Sequence, residues 1–237
     1  MTMIPPDFRG DGKRLDDLDL PRIGALIGVG EDPVHAVLDV EARGIGFDAL
    51  KRPAMLFEPH VFHREMIGAH GEKSARLRRA VGEGLAYRRW GEKRYPRDSY
   101  PRLLAAMRID RELALRSASW GLGQIMGFNH ALVGFGSAEA MVAACIDDEE
   151  VHLELMIRFI KASRIDDEMR MWDALTRPTR PDDCRAFARV YNGRGYERNG
   201  YHTKLAARHN WWRGKPDTPF RLARAEIDWN DPLVMMA

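Results

Sequence analysis

Glu41 is the acidic side chain best placed for proton chemistry. With Val34, Val37 and Leu38 it falls on one helical face at spacings of three and four. A lone charge in such a stripe is costly unless it is paired or protonated. A partly desolvated Glu has a raised pKa, and one still protonated near neutral pH is a general acid able to protonate a glycosidic oxygen. Chemistry of that kind normally uses a second carboxylate, as nucleophile or base. Asp48 lies seven residues further on, and Glu58 ends the next apolar run, Ala54-Met55-Leu56-Phe57. Either can hold a water opposite Glu41, and Glu58 can equally pair with Arg64 or a His. The plain alternative for Glu41 stays open too: the last turn of an amphipathic helix often ends in a Glu with its head in water.

The elements that must position these groups follow from local signals. Asp32-Pro33 opens the Glu41 helix, since Asp caps free N–H groups and Pro fits a first turn. Gly44 stops it, because Gly takes the left-handed conformation cheaply. A short apolar helix over 20–29 precedes it. Gly46-Phe47-Asp48, a Lys51-Arg52-Pro53 turn and the run to Glu58 predict a small β-hairpin. His60 to Met66 reads as a brief helix, and 68–98 as a polar loop or small helical excursion. From Ser99 onward the pattern is helical. Ser99 and Asp110 are candidate caps, and Ser137 opens a helical region to about Ala162, broken near Asp147. Further helices are expected over 167–175, 181–191 and 200–212. Residues 1–18 read as a flexible leader and 215–237 as an irregular tail, leaving one domain over 19–214. Many helices with one early hairpin make an α+β, mainly helical fold.

Composition narrows the function classes. The 237 residues carry a net charge of +2, so the chain as a whole is no polyelectrolyte binder. Charge is uneven: nine Lys/Arg and three Glu lie between Glu72 and Arg97, and Asp147 to Glu150 form an acidic cluster. Such basic patches suit an anionic polymer, or are simply a solvated face. Cys145 and Cys184 lie in apolar-leaning helices, as buried free thiols do. No apolar signal core and no membrane-span-length segment is evident, so stable membrane insertion is not expected. Glu58-Pro59-His60-Val61-Phe62-His63 matches no established metal pattern. Phosphate loops, dinucleotide fingerprints and nucleophile elbows are missing as well, so no metal or cofactor is expected. A nucleic-acid binder would need a recognition helix or stacking platform, and neither stands out.

Two later segments join Glu41. One is Ser117-Ala118-Ser119-Trp120-Gly121-Leu122-Gly123-Gln124-Ile125-Met126-Gly127-Phe128-Asn129. The other is Phe187-Ala188-Arg189-Val190-Tyr191-Asn192-Gly193-Arg194-Gly195-Tyr196, continuing to Asn199, Tyr201, Lys204 and Leu205. Their glycines allow close backbone approach to a ligand. Gln124 offers a donor and an acceptor for acetamido and hydroxyl groups. Trp120, Tyr191 and Tyr196 offer flat faces to sugar rings.

With Leu56-Phe57-Glu58-x-His60-x-Phe62, these segments resemble the phage-type N-acetylmuramidases (endolysins) of the lysozyme-like superfamily over roughly residues 20–212. The Gly-Leu-x-Gln-Ile element is similar to that of lytic transglycosylases and goose-type lysozymes, and Tyr-Asn-Gly to their Tyr-Asn-Ala-Gly turn. The 68–98 insert is least like the family.

The resemblance implies a lysozyme-like fold and cleavage of bacterial peptidoglycan between N-acetylmuramic acid and N-acetylglucosamine. It implies Glu41 as acid, with Asp48 or Glu58 as its partner, or neither if the substrate's acetamido group assists. Trp120, Gln124, Tyr191, Asn192 and Tyr196 are the expected substrate contacts, and Tyr191 is expected to orient Glu41. The basic patches are expected to hold anionic cell-envelope polymers. The absence of a signal peptide fits a protein kept in the cytoplasm until released to the wall, as in an endolysin or a toxin. Two rivals remain open: a lytic transglycosylase, and a non-catalytic wall-binding protein.

Overall fold

The computed structural model describes residues 4–41 and 45–220. Gly44, the expected helix stop, and most of the C-terminal tail lie outside them. Helices α1 (Asp19–Leu26) and α2 (Glu31–Glu41) come first. Glu31 and Asp32 put negative charge at the N-terminus of α2, where the helix dipole favours it. The expected hairpin exists as a turn: Asp48 N–H donates to the Arg52 carbonyl (2.9 Å), and Phe47 bridges Pro53. Its outgoing strand β1 (Met55–Phe57) does not fold back on it. It pairs with β2 (Ala118–Trp120), which pairs with β3 (Ile125–Met126), giving an antiparallel sheet in the order β1-β2-β3.

Helices α3 (Pro59–His70) and α4 (Ala75–Gly82) lead into the turn-rich remainder of the basic insert. Next come α5 (Tyr100–Met107), α6 (Arg111–Arg116), α7 (Ala138–Ala144) and α8 (Glu149–Ala162). Asp110 and Ser137 cap as expected, accepting from Leu113 N–H and Ala140 N–H, both at 3.1 Å. Ser99 precedes its helix without making a side-chain cap. The chain finishes with α9 (Asp166–Asp173), a 3₁₀ turn at Pro181–Cys184, α10 (Arg185–Tyr191) and α11 (Tyr201–Trp212). Cys145 and Cys184 are buried free thiols. None of the described helices is long and apolar enough to cross a membrane.

Two apolar cores result. One gathers Phe57, Phe62, Met66, Leu103, Leu115 and Trp120 around the sheet and α3 to α7. The other gathers Ile23, Val34, Val37, Trp172, Phe187 and Leu205 around α1, α2 and α9 to α11. Helix α8 joins them, giving Leu155 to the first and Leu153, Met156 and Ile160 to the second. Tyr191 packs against both.

Residues 4–18, expected as a flexible leader, are part of the domain. Phe8 is buried in the first core, its ring 5.9 Å from Trp120 and 5.2 Å from Tyr100. Lys13 pairs its backbone with 147–149 and its ammonium with Asp148 at 2.8 Å. Buried Glu149 accepts from the N–H of Leu15 (3.1 Å) and of Gly46 (2.8 Å), so the acidic cluster ties the N-terminal segment, the start of α8 and the chain beyond Glu41 together.

Trp120 is a core residue, 1% exposed, with Nε1–H donating to the Leu115 carbonyl at 3.2 Å; the expectation that it faces a sugar is corrected. β2 is buried on both faces, so its aromatic side chain fills the first core. Trp120→Ala is expected to cost about 3–5 kcal/mol. For a domain of this size that lowers Tm by roughly 6–20 °C in a thermal melt. A purely cleft-facing Trp would leave Tm in place and raise KM instead.

Candidate active site

Helix α11 holds α2 antiparallel along its length. Its last residue, Trp212, stacks on His35 with centroids 3.7 Å apart and donates Nε1–H to Asp39 at 2.7 Å. Arg208 donates Nε–H to the same Asp39 oxygen at 2.7 Å. Its first residue, Tyr201, donates its hydroxyl proton to Glu41 Oε1. The three contacts recur on one face of α11, so a single packed helix sets the position of the carboxyl.

Glu41 ends α2 half-buried, where the carbonyl end of the helix disfavours negative charge. Desolvation raises its pKa to about 7, with the Tyr201 hydrogen bond pulling the other way. Burial, with the charge of Glu41 nearby, also holds the Tyr191 and Tyr201 hydroxyls well above the usual tyrosine range. They stay protonated as donors.

Tyr191 was expected to orient Glu41, and Tyr201 does so instead. The Tyr191 hydroxyl donates to the Gly123 carbonyl at 2.8 Å, and its ring stacks on Phe187 at 5.3 Å. Tyr201 was within reach of sequence reading: it opens a helix in the same segment, and with Leu205, Arg208 and Trp212 it falls on one helical face.

The glycines of the middle segment serve packing. A Cβ on Gly121 would meet His152 Cγ at 2.6 Å, and one on Gly123 would meet Met156 Cβ at 2.7 Å. Gly121 also has φ +68°, a left-handed conformation. The β2–β3 turn can therefore lie directly on α8. The Gln124 carboxamide is engaged internally: Oε1 accepts from Ser119 Oγ (2.8 Å), and Nε2 donates to the Gly121 carbonyl (2.9 Å). It holds the turn that holds Tyr191. Tyr196, 3% exposed, is likewise corrected from sugar face to core; its hydroxyl donates to Glu197 at 3.0 Å and its ring anchors the 192–200 turn. Asn192 is exposed on that turn.

The two candidate partner carboxylates differ in surroundings. Asp48 Oδ1 accepts from the N–H of Leu50 (2.8 Å) and of Arg52 (3.0 Å), and Oδ2 accepts from Arg52 Nε at 2.7 Å. Its charge is neutralised inside the turn that it builds. Glu58 caps no helix N–H although it precedes α3. Its Oε2 accepts from the Tyr95 hydroxyl and lies 3.2 Å from His60 Nδ1, without the alignment of a hydrogen bond. Oε1 accepts no hydrogen bond among the described residues. Glu58 also lines a cavity of about 330 Å³ with Trp90 from the insert and Asn192, Gly195, Arg198 and Asn199 from the 192–200 turn. The ends of that turn are Tyr191 and Tyr201, the two tyrosines beside Glu41. The structure thus brings Glu58 and Asn192 to one cavity, holds Glu41 against Tyr201 at the end of the turn that carries Asn192, and leaves Asp48 in its own turn.

Residues 31–213 match the profile of the N-acetylmuramidase family. The chain belongs to this family. The muramidase is accordingly a glycoside hydrolase of peptidoglycan, with a mainly helical lysozyme-like fold. Its fold is similar to the crystal structure of the Burkholderia AP3 phage endolysin, with a TM-score of 0.70, 29% sequence identity, and coverage of 87% of this chain and 74% of that one. Comparison with curated proteins gives no significant match.

Two outcomes follow from the Glu41 environment. With Glu41 as a general acid, which works while protonated, activity is expected to fall as pH rises through the pKa near 7. Tyr201→Phe removes the donor that favours the charged form, raises that pKa, and moves the alkaline limb of the pH–rate profile up by about one unit. The same shift enters stability. Glu41 binds its proton more tightly folded than unfolded, so its contribution falls as pH rises from the unfolded value of 4.5 through about 7. Glu41→Gln is expected to be more stable than wild type by about 1–3 kcal/mol near pH 8, and equal to it near pH 4, in denaturant titrations.

Proposed function

We propose that this muramidase cleaves the bond between N-acetylmuramic acid and N-acetylglucosamine with Glu41 as general acid and Glu58 as the facing carboxylate. The observation that carries the reading is the desolvated Glu41 carboxyl, its pKa raised to about 7 while Tyr201 fixes its orientation. Protonated Glu41 gives its proton to the departing sugar oxygen as positive charge develops at the muramic-acid anomeric carbon. Glu58, with one oxygen free of partners among the described residues, offers negative charge to that oxocarbenium-like state and a base for water. Asp48 is the weaker candidate because Arg52 already neutralises it. Asn192 contacts the sugar directly in this reading, whereas Gln124 and Tyr191 act through the turn they hold.

Similarity to a phage endolysin supports the same biological setting here: a lytic enzyme released to the cell wall at the end of infection. The basic insert supports contact with anionic envelope polymers. Its Arg78, Arg89 and Lys93 line a cavity of about 880 Å³ beside α4, with Leu77 and Val81 as apolar wall.

Digestion of purified peptidoglycan tests the chemistry. Wild-type protein should release reducing muramic-acid ends, seen by mass spectrometry, and Glu41→Gln should be slower by roughly 10²–10⁴-fold. Glu58→Gln should also lose most activity, while Asp48→Asn should chiefly lower Tm. Anhydro-muramic ends from wild type would replace hydrolysis with transglycosylation. Undiminished lysis by Glu41→Gln would remove the proposed acid.

A further inference from the structure

The cavity beside Glu58 has two lining residues that the proposed chemistry does not use. Trp90 is 61% exposed, and among the described residues its indole stacks on no ring and takes no cation. Arg198 is exposed on the opposite wall and forms no ion pair among the described residues, although the carboxylate of Glu58 lines the same cavity. Neither belongs to the two apolar cores. Both stand on braced segments. The Tyr95 hydroxyl ties the Trp90 segment to Glu58. The turn carrying Arg198 is pinned by buried Tyr196 and by Arg185, which holds Glu197 at 2.6 Å.

We propose that Trp90 and Arg198 form a subsite that reads the stem peptide of peptidoglycan beside the cleaved bond. The inference rests on the muramidase reading and adds what that reading lacks, a basis for preferring peptide-bearing glycan. The indole takes the apolar face of a sugar ring, as exposed aromatic planes do. The guanidinium needs an anion. An N-acetylated glycan backbone offers hydroxyls and amides but no charge, because the lactyl carboxyl of muramic acid is consumed in the amide bond to the peptide. The regular anions next to the scissile bond are the free carboxylates of the stem peptide, and a planar guanidinium matches a carboxylate in two parallel hydrogen bonds. Arg198 also offsets the repulsion between that carboxylate and Glu58.

The test compares kcat/KM on soluble glycan strands carrying stem peptides with the same strands after an amidase has stripped the peptides and the lactyl carboxyls so freed have been capped as neutral methylamides. Wild type should favour the peptide-bearing strands by about 3–10-fold, an exposed but charge-assisted pair. Arg198→Gln should bring that ratio close to one, and Arg198→Lys should restore part of it. Trp90→Ala should raise KM on both strands, with Trp90→Phe recovering most of the loss. Both side chains are exposed, so these variants should keep the wild-type Tm. No wild-type preference, or equal losses on both strands with Arg198→Gln, would overturn the subsite. Binding of a peptide-bearing muropeptide to Glu41→Gln protein, with and without Arg198→Gln, repeats the comparison without turnover. Arg198-dependent binding, together with wild-type protein that releases no reducing ends, would keep the subsite and remove the hydrolase reading. Binding indifferent to Arg198 would remove the subsite alone.

Discussion

The structure depends on keeping one carboxyl group poorly solvated at the exposed end of a helix. A glutamate at a helix C-terminus would ordinarily extend into water and titrate near 4.5. Here α11 is clamped to α2 by Asp39, Arg208, His35 and Trp212, and the same clamp brings Tyr201 over Glu41. The charged form loses more solvation than one hydrogen bond returns, so the proton stays on to about pH 7. Glu58 is held differently: the Tyr95 hydroxyl donates to one of its oxygens, and His60 Nδ1 lies 3.2 Å from the same oxygen.

That arrangement explains why the glycine-rich segment around Gln124 carries so much of the signal while touching so little solvent. Gly121 and Gly123 remove side chains so that the β2–β3 turn reaches α8. Gln124 locks the turn through both ends of its amide, and the Gly123 carbonyl then fixes Tyr191. Each residue type is demanded by a distance inside the protein. Chemistry that reads as ligand binding from residue type alone is here the chemistry of a rigid wall, and a wall that does not yield is what holds reacting groups to a fraction of an ångström.

The legible and illegible parts of this chain separate along physical lines. Helices with a cap and an apolar stripe could be read directly, as at Asp110, Ser137 and the Glu41 helix. Glu41 itself was readable because its departure from the stripe is local. The sheet was not, because β1 pairs with a strand more than sixty residues away, and no local pattern distinguishes that partner from the adjacent turn. The N-terminal segment misled for a similar reason: its order comes from Phe8 against Trp120 and Tyr100, while its own composition is polar and rich in Gly and Pro. Tyr191 and Tyr201 are chemically equivalent in sequence. What separates them is that Tyr201 shares a face of α11 with Arg208 and Trp212, the residues that clamp α2.

The insert over 68–98 was the least interpretable stretch because its charges and aromatics do not repeat with any period. In three dimensions it makes one wall of the cleft. Tyr95 holds Glu58 from it, and Trp90 stands five residues earlier on the same segment. In the proposed subsite, a strand that settles on Trp90 bears on the segment that donates to Glu58, so binding and chemistry share a mechanical element. Facing it, the 192–200 turn shares its ends with the tyrosines beside Glu41. In the proposed subsite, Trp90 stands on the segment that holds Glu58, and Arg198 on the turn that ends at Tyr201, the donor to Glu41. On that proposal, positioning the glycan also positions the acid and its partner, the way binding energy remote from a bond lowers the barrier at it.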